Sequence, residues 1–100
     1  MRTLFVAWCA LVLLSATPAR AADPSHGAQL YALHCQGCHG RTGVSVMPGA
    51  PNLARGEGLM QADMSLLAAI KSGKNAMPGY FGILKDQDIL DVIAYMRTLR

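Results

Sequence analysis

The chain has 100 residues, of which 52% are hydrophobic and 15% charged, and its formal net charge at pH 7 is +3. A chain this short forms one small domain, whose limited core usually needs a staple such as a disulfide, a metal or a cofactor. Two of its nine basic residues, Arg2 and Arg20, lie near the N-terminus, so the rest is almost neutral. The composition therefore gives no support to nucleic-acid binding.

Residues 1–21 have the features of a secretory signal peptide. Arg2 gives a short basic start, residues 4–14 form an apolar run, and Ala-Arg-Ala at 19–21 supplies the small-x-small pattern of a cleavage site. The run is shorter than the roughly 20 residues that a membrane span needs, so a retained anchor is the less favoured alternative. Cleavage would leave residues 22–100 as one domain of 79 residues with a net charge of +1, exported to the periplasm.

A first helix is predicted to begin at Asp23-Pro24-Ser25, with Ser25 as its N-cap. Tyr31 is among its apolar positions, and the helix runs directly into a cysteine motif. This arrangement places the motif at the end of a regular helix.

Cys35-Gln36-Gly37-Cys38-His39 is the C-x-x-C-H pattern of c-type haem attachment. Each thiol can add to one vinyl group of the porphyrin, and His39 then lies where a ring nitrogen can coordinate the iron. A thioredoxin-like pair would need a βαβ context, and a zinc site would need a further ligand pair at ligand spacing; the sequence offers neither. A structural disulfide is the remaining alternative. The motif predicts one covalent haem, which would also staple the small core.

A glycine- and proline-rich stretch over residues 40–58 predicts an extended loop after the motif. A second helix is predicted to start with Asp63 as its N-cap, to carry Leu66 and Ile70 on its apolar side, and to stop at Gly73.

Two methionines are the main candidates for the second axial ligand of the iron. Met77 lies between two predicted helices and is followed by Pro78, so its thioether can face the iron without disrupting a packed helix. Met47 precedes Pro48 in a similar local sequence, only eight residues after His39. Those residues could extend about 26 Å, so distance alone does not exclude Met47. The residues favour Met77, with Met47 and an open sixth position as alternatives.

The other sulfur and imidazole groups are weaker candidates. His26 and His34 precede the motif on the first helix, which would have to unwind for either to reach the second axial position, so both are expected to be exposed or partly hydrogen-bonded. Core or surface packing is the commoner role for the remaining methionines, Met60, Met64 and Met96.

The last predicted helix covers residues 86–99 and has apolar residues at near-helical spacing, namely Ile89, Val92, Ile93, Met96 and Leu99. Its first turn is acidic and its last turn basic, which suits the helix macrodipole; these residues are Asp86, Asp88, Arg97 and Arg100. No alternating run predicts a sheet. The fold is therefore predicted to be all-α, with about three main helices around one haem.

From about residue 25 to residue 100 the chain resembles the class I c-type cytochromes, in a small bacterial monohaem form. The matching features, in chain order, are Gly27, Tyr31, Cys35-Gln36-Gly37-Cys38-His39-Gly40, Pro51-Asn52-Leu53, Met77-Pro78 and Asp91-Val92-Ile93-Ala94-Tyr95-Met96. Together they span almost the whole domain, which makes the resemblance far more specific than the attachment motif alone. The resemblance implies a helical cytochrome c fold with one haem c held by Cys35 and Cys38.

The resemblance also implies roles for individual residues. His39 and Met77 would be the axial ligands, and the Pro51 carbonyl would accept the other ring N–H of His39, which fixes the imidazole and raises its donor strength. Gly27 would let the first helix cross closely against the last, near Tyr95. Candidates to seal the pocket are Leu53, Ile70 and either Tyr80 or Phe81.

One position departs from the family. The residue before the acidic start of the last helix is often Ser or Thr, whereas this chain has Lys85. A lysine side chain cannot accept the capping hydrogen bond, so the helix is predicted to begin at Asp86.

Two axial protein ligands would leave no iron position for a substrate, so the remaining chemistry is one-electron exchange between ferric and ferrous states. Thioether ligation and apolar burial would raise the potential. We therefore expect a periplasmic electron carrier, not an enzyme, that exchanges electrons with other redox proteins. Three lysines flank the Met77 loop and could steer an acidic partner, or could simply be solvated; they are Lys71, Lys74 and Lys85.

Two other classes remain open. The protein could be a cytochrome subunit or dedicated partner of a periplasmic reductase or dehydrogenase, such as a nitrite reductase system. It could also be a haem sensor or weak peroxidase with an open or labile sixth position, which the Met77-Pro78 loop disfavours.

Overall fold

The computed structural model describes residues 20–100, so the predicted signal peptide lies almost entirely outside the described residues. Four α-helices follow in order: α1 Pro24–His34, α2 Gln36–His39, α3 Asp63–Ser72 and α4 Asp86–Met96. A 3-10 turn, Leu53–Arg55, interrupts the long connection between α2 and α3. Residues 20–100 contain no β-strand, and the predicted all-α fold is confirmed. No helix in this range is long and apolar enough to cross a membrane.

The first helix begins two residues earlier than predicted. Asp23, not Ser25, is the N-cap, and its side chain accepts hydrogen bonds from the backbone N–H groups of Ser25 and His26. Pro24 explains the difference, because proline suits the first helical position and holds the preceding residue in an extended conformation. Asp23 has that conformation, with φ −105° and ψ 102°.

The predicted cap of the second long helix is also wrong. Ala62 is the N-cap of α3, and Asp63 is its first residue. The Asp63 carboxylate instead accepts hydrogen bonds from Arg97, at 3.1 Å from Nε and 2.7 Å from Nη2. Arg97 also donates to the Leu59 carbonyl at 2.6 Å, so this side chain ties the end of α4 to the segment before α3.

The last helix begins at Asp86, as predicted, with Lys85 at the N-cap and the Asp88 carboxylate accepting from the Lys85 N–H at 3.0 Å. It ends at Met96 instead of Leu99. The Thr98 N–H and hydroxyl both bind the Tyr95 carbonyl, at 2.9 and 2.6 Å, which tightens the chain into a turn there.

The most extensive helix contact is the crossing of α1 and α4. A Cβ at Gly27 would overlap the Asp91 carbonyl and would lie 2.9 Å from Val92 N, so the two backbones approach too closely for a side chain. The predicted close crossing at Gly27 is present, although its immediate contacts are Asp91 and Val92. Tyr95 packs one turn further along, edge-on to Tyr31 with the ring centroids 5.2 Å apart.

A fully buried carboxylate, Asp91, fastens this crossing. Its Oδ1 accepts from the Asp23 N–H at 2.8 Å and from Gln87 Nε2 at 3.1 Å, and its Oδ2 lies 2.8 Å from His26 Nδ1. Burial by itself would raise the pKa of Asp91, but the hydrogen bonds from Asp23, His26 and Gln87 hold that pKa below its ordinary value. The ionised form therefore stabilises the fold.

Asp91→Asn is expected to lower the free energy of unfolding by about 2 kcal/mol at neutral pH, the scale of hydrogen bonds to a charged group. Because the folded pKa lies below the ordinary value of 3.8, this stabilisation is complete above that pH and is lost as the pH falls through the folded pKa. The difference in the free energy of unfolding between wild type and Asp91→Asn should thus narrow below about pH 4. Denaturant unfolding of the haem-loaded proteins across this range measures it.

The matched control for that experiment is Asp86→Asn on the same helix. Asp86 is exposed and pairs with Lys71 at 2.9 Å, so its loss should cost about 0.5 kcal/mol or less. The nearby charged groups Asp88 and Arg20, the latter 3.7 Å from Asp91, are unchanged in both variants. If wild type and Asp91→Asn differ in the free energy of unfolding by the same amount down to about pH 3, the ionised carboxylate does not have this role.

Candidate haem site

The attachment motif forms its own short helix at the end of α1. Cys35 terminates α1, and its carbonyl accepts from the N–H groups of Cys38 and His39 at 3.3 and 3.0 Å. The Cys35 side chain is half-buried and the Cys38 side chain exposed. Gly40 follows with φ +81°, where an added Cβ would overlap the Val44 carbonyl, so the chain turns away directly after His39.

The thiol chemistry of Cys35 argues against a reactive redox pair. Burial, with a smaller contribution from Cys38, raises the pKa of Cys35 to about 11. A thioredoxin-like nucleophile needs the opposite, a pKa lowered toward neutrality. The alternative in which C-x-x-C serves thiol–disulfide exchange is therefore disfavoured.

An apolar cavity of about 220 Å³ lies between α3, α4 and the segment that follows Pro51. Side chains from all three regions line it, including Leu53, Leu59, Leu66, Ile89, Val92 and Met96. A second cavity of about 360 Å³, the outer cavity, adjoins this inner cavity on the side of the attachment motif, where both thiols border it. Six residues line both cavities, namely Cys35, His39, Pro51, Lys74, Met77 and Tyr80.

These residues fit a covalent haem. Taken together, the two adjoining cavities have the scale of a cofactor site, roughly 300–1,000 Å³, and the inner one is lined mainly by apolar side chains. The thiols lie at one border of this space, and an imidazole and a thioether, the ligand pair of many c-type haems, border the same space. The predicted thiols, His39 and Met77 are thus brought together around one cavity.

The Pro51 carbonyl lies near the His39 ring. The Pro51 carbonyl oxygen is 3.4 Å from His39 Nδ1, a long hydrogen-bonding distance. The tautomer with the proton on Nδ1 would donate to this carbonyl and leave Nε2 free for a metal.

Met77 ends a tight turn. The Lys74 N–H donates to the Met77 carbonyl at 3.1 Å, and the Met77 N–H donates to the Lys74 carbonyl at 2.9 Å. Asn75, inside the turn, has φ +53°, a left-handed conformation that asparagine tolerates better than most residues. The turn packs closely on the end of α3, where a Cβ at Gly73 would lie 2.6 Å from Gly79 N.

Met47 is placed differently. Its N–H donates to the Cys38 carbonyl at 3.3 Å, and its side chain lines only the outer cavity. Met77 lines both cavities, from a segment 38 residues beyond His39. The geometry thus places Met47 beside the attachment motif and Met77 on a separate element.

The pocket-sealing residues are partly those predicted. Leu53 and Tyr80 are buried and line the inner cavity, together with half-buried Ile70. Phe81 is 79% exposed and lines neither cavity, so Tyr80 is the aromatic residue at the site.

Leu59 was not anticipated. It is 2% exposed and lines the inner cavity, although it directly follows the stretch predicted as an extended loop. Arg97 donates a hydrogen bond to the Leu59 carbonyl, a contact across 38 residues for which the sequence has no local signal.

The two other histidines are partly hydrogen-bonded or exposed, in line with expectation. His26 pairs with Asp91 at the α1–α4 crossing, away from the cavities. His34 is exposed and borders the outer cavity, with its ring edge-on to Tyr80.

The chain is similar to known proteins over most of its length. Residues 22–96 match the family described as cytochrome c oxidase, cbb3-type, subunit III. Cytochrome c6 of Thermosynechococcus vestitus is 38% identical over 104 residues, covering 96% of this chain and 91% of the relative. A cytochrome c6-like protein of a Nostoc species is 32% identical, covering 96% and 88%. The solved structure of cytochrome c6 from the diatom Phaeodactylum tricornutum has a TM-score of 0.62 and 28% identity, covering 77% of this chain and 93% of that one.

An all-helical fold with a C-x-x-C-H motif bordering two adjoining cavities that together have the size of a cofactor site defines a haem protein of the cytochrome c type. The chain belongs to the class I c-type cytochromes, as a small monohaem member. Its cofactor is covalently bound haem c, and it is an electron carrier and not an enzyme.

Proposed function

We propose that this cytochrome is a periplasmic one-electron carrier whose haem iron has His39 and Met77 as axial ligands. The thiols of Cys35 and Cys38 would form the two thioether bonds. The observation that carries the proposal is that His39 and Met77, from distant parts of the chain, border the same outer cavity as both thiols. Haem c supplies reversible exchange between ferric and ferrous iron when it is bound.

The protein's own groups set the conditions for that exchange. Pro51 holds the His39 ring through its carbonyl, which would fix the imidazole and raise its donor strength. The closed turn at Lys74–Met77 presents the thioether without a large loop rearrangement. Apolar residues such as Leu66 exclude water from the inner cavity, which favours the less charged ferrous state. Filling both axial positions with side chains keeps substrates away from the iron.

The periplasmic location rests on residues 1–21, which have the pattern of a cleaved signal peptide and lie almost entirely outside the described structure. The cytochrome domain would then be residues 22–100. The family match begins at residue 22, directly after the proposed cleavage site, which supports this boundary.

Other redox proteins would be the electron donor and acceptor. Of the three lysines near the Met77 turn, Lys71 pairs with Asp86 at 2.9 Å, whereas Lys74 and Lys85 enter no ion pair within residues 20–100. Lys74 also lines both cavities, so its charge lies nearest to the cofactor site. An acidic partner surface is therefore the chemistry that Lys74 suits best.

Carbon monoxide tests the closed sixth position. The reduced wild-type protein at neutral pH is expected to show no change in its haem spectrum on exposure to carbon monoxide, because Met77 occupies the site. Ready formation of a carbon monoxide adduct would overturn the six-coordinate carrier and favour a sensor or peroxidase role. The measurement is an absorption spectrum of the reduced holoprotein before and after equilibration with the gas.

A second candidate is a cytochrome subunit or dedicated partner of a larger periplasmic redox enzyme. The matched family is described by the name of an oxidase subunit, and this description supports the second candidate. Purification of the native protein under mild conditions separates the two. A free carrier elutes as a species of about the mass of the domain, whereas a subunit elutes with its enzyme.

A further inference from the structure

Tyr80 lies at the junction of the Met77 turn, the two cavities and the attachment motif. It follows Met77 by three residues, is 8% exposed, and its side chain lines both cavities. Its hydroxyl donates to the carbonyl of His34 at 2.9 Å, and His34 is the residue directly before Cys35. The His34 ring packs edge-on against the Tyr80 ring, with centroids 5.6 Å apart and an interplanar angle of 75°.

The Tyr80 backbone is fixed to a different element. Its N–H donates to the Ile70 carbonyl at 3.1 Å, near the end of α3. Within the described residues, the Tyr80 hydroxyl provides the hydrogen bond between residues 73–80 and the attachment segment 24–39. Burial raises the pKa of Tyr80, so the hydroxyl stays protonated and able to donate.

We infer that Tyr80 is a positioning residue for the sixth ligand and that its two contacts with His34, hydroxyl to carbonyl and ring to ring, keep the Met77 turn closed over the cavity. We call this pair of contacts the Tyr80–His34 clamp. The inference rests on the proposed ligation by Met77. A thioether is a weak ligand that an added base can replace, and the thioether leaves the iron more easily when its turn can move away. The clamp opposes that movement because it ties the chain after the turn to His34, the last residue of α1 and the neighbour of Cys35.

Tyr80→Phe tests the clamp in the haem-loaded ferric protein. This change keeps the ring and removes only the hydroxyl bond. Titration with imidazole, followed by loss of the sulfur-to-iron charge-transfer band, measures how easily Met77 is replaced. We expect about fivefold tighter imidazole binding than in wild type, which corresponds to about 1 kcal/mol, the usual net value of one hydrogen bond.

Tyr31→Phe is the matched control. Tyr31 is also buried, and its hydroxyl donates to a backbone carbonyl, that of Gly40, at 2.7 Å. That bond is at the attachment motif and does not touch the Met77 turn. Tyr31→Phe also removes one buried hydrogen bond, so it should lose about as much thermal stability as Tyr80→Phe. Its affinity for imidazole should stay at the wild-type value.

Each outcome decides a different question. Wild-type imidazole affinity in Tyr80→Phe, or an equal gain in Tyr31→Phe, would overturn the clamp and leave Met77 ligation intact. A wild-type protein without the charge-transfer band would overturn Met77 ligation itself, and the clamp with it.

A second variant serves if Tyr80→Phe does not accumulate with haem. His34→Ala changes an exposed side chain and removes the ring contact while leaving the carbonyl acceptor in place. Tighter imidazole binding in His34→Ala supports the clamp, and unchanged binding overturns it.

Discussion

Met77→Ala is expected to abolish the sulfur-to-iron charge-transfer band and to lower the midpoint potential by on the order of 100 mV or more, given the range over which axial ligands set haem potentials. The thioether stabilises ferrous iron, so its loss favours the ferric state. The reduced variant should also bind carbon monoxide at neutral pH, because the sixth position is then available.

The effect should be chemical and not a consequence of unfolding. Both hydrogen bonds that close the turn, between Lys74 and Met77, are made by backbone atoms and survive in Met77→Ala. The Tyr80 contacts with His34 and Ile70 also remain. The helical circular dichroism of the variant should therefore stay close to that of wild type.

Met47→Ala is the control for this prediction. Met47 lines only the outer cavity, beside the Cys38 carbonyl, and its replacement should leave the band and the potential near their wild-type values. Visible absorption and a redox titration of the three proteins make the comparison. Loss of the band in Met47→Ala and its retention in Met77→Ala would reverse the assignment.

The sequence was most informative where chemistry depends on a few adjacent residues. The thiols and His39 lie in one pentapeptide, so the cofactor could be predicted without knowledge of the fold. The close approach at Gly27 and the proximity of Pro51 to His39 could be anticipated only through the family resemblance.

The first residues of the helices were less predictable, because several neighbouring residues have side chains that can serve as the N-cap. Ser25 and Asp63 both have suitable side chains, but Pro24 moved the first cap to Asp23, and Arg97 engaged the Asp63 carboxylate. The first error could have been avoided from the Asp-Pro pair alone. The second could not, because the Arg97 contact spans 34 residues.

The choice between two adjacent aromatics was also a tertiary question. Tyr80 and Phe81 are adjacent aromatic candidates in the sequence, and only the path of the chain after Met77 directs one of them inward. The hydrogen bond from Tyr80 N to the Ile70 carbonyl and that from Phe81 N to the Lys71 carbonyl fix this path. The exposed Phe81 ring then meets the Lys71 ammonium, 5.7 Å from the ring centroid.

The other large effect expected is that of Gly27→Ala, which should lower the free energy of unfolding by about 3 kcal/mol or more. The added methyl group would overlap the Asp91 carbonyl and meet Val92 N at 2.9 Å. These are backbone atoms of a helix, so a change of rotamer cannot relieve the overlap, and α1 must move away from α4. That movement also separates Asp23 and His26 from the buried Asp91 carboxylate.

Gly37→Ala separates this packing effect from the general effect of replacing glycine in a helix. Gly37 lies in α2, and no atom is within 4 Å of a Cβ added there, so the change should be neutral or stabilising by up to about 1 kcal/mol. Thermal unfolding of the holoproteins measures the difference. The melting temperature should fall by about 12 °C or more in Gly27→Ala and should not fall in Gly37→Ala. Similar small shifts in both variants would mean that the α1–α4 crossing yields to a methyl group. In that case the close contact at Gly27 would not be needed to hold α1 and the attachment motif against the rest of the domain.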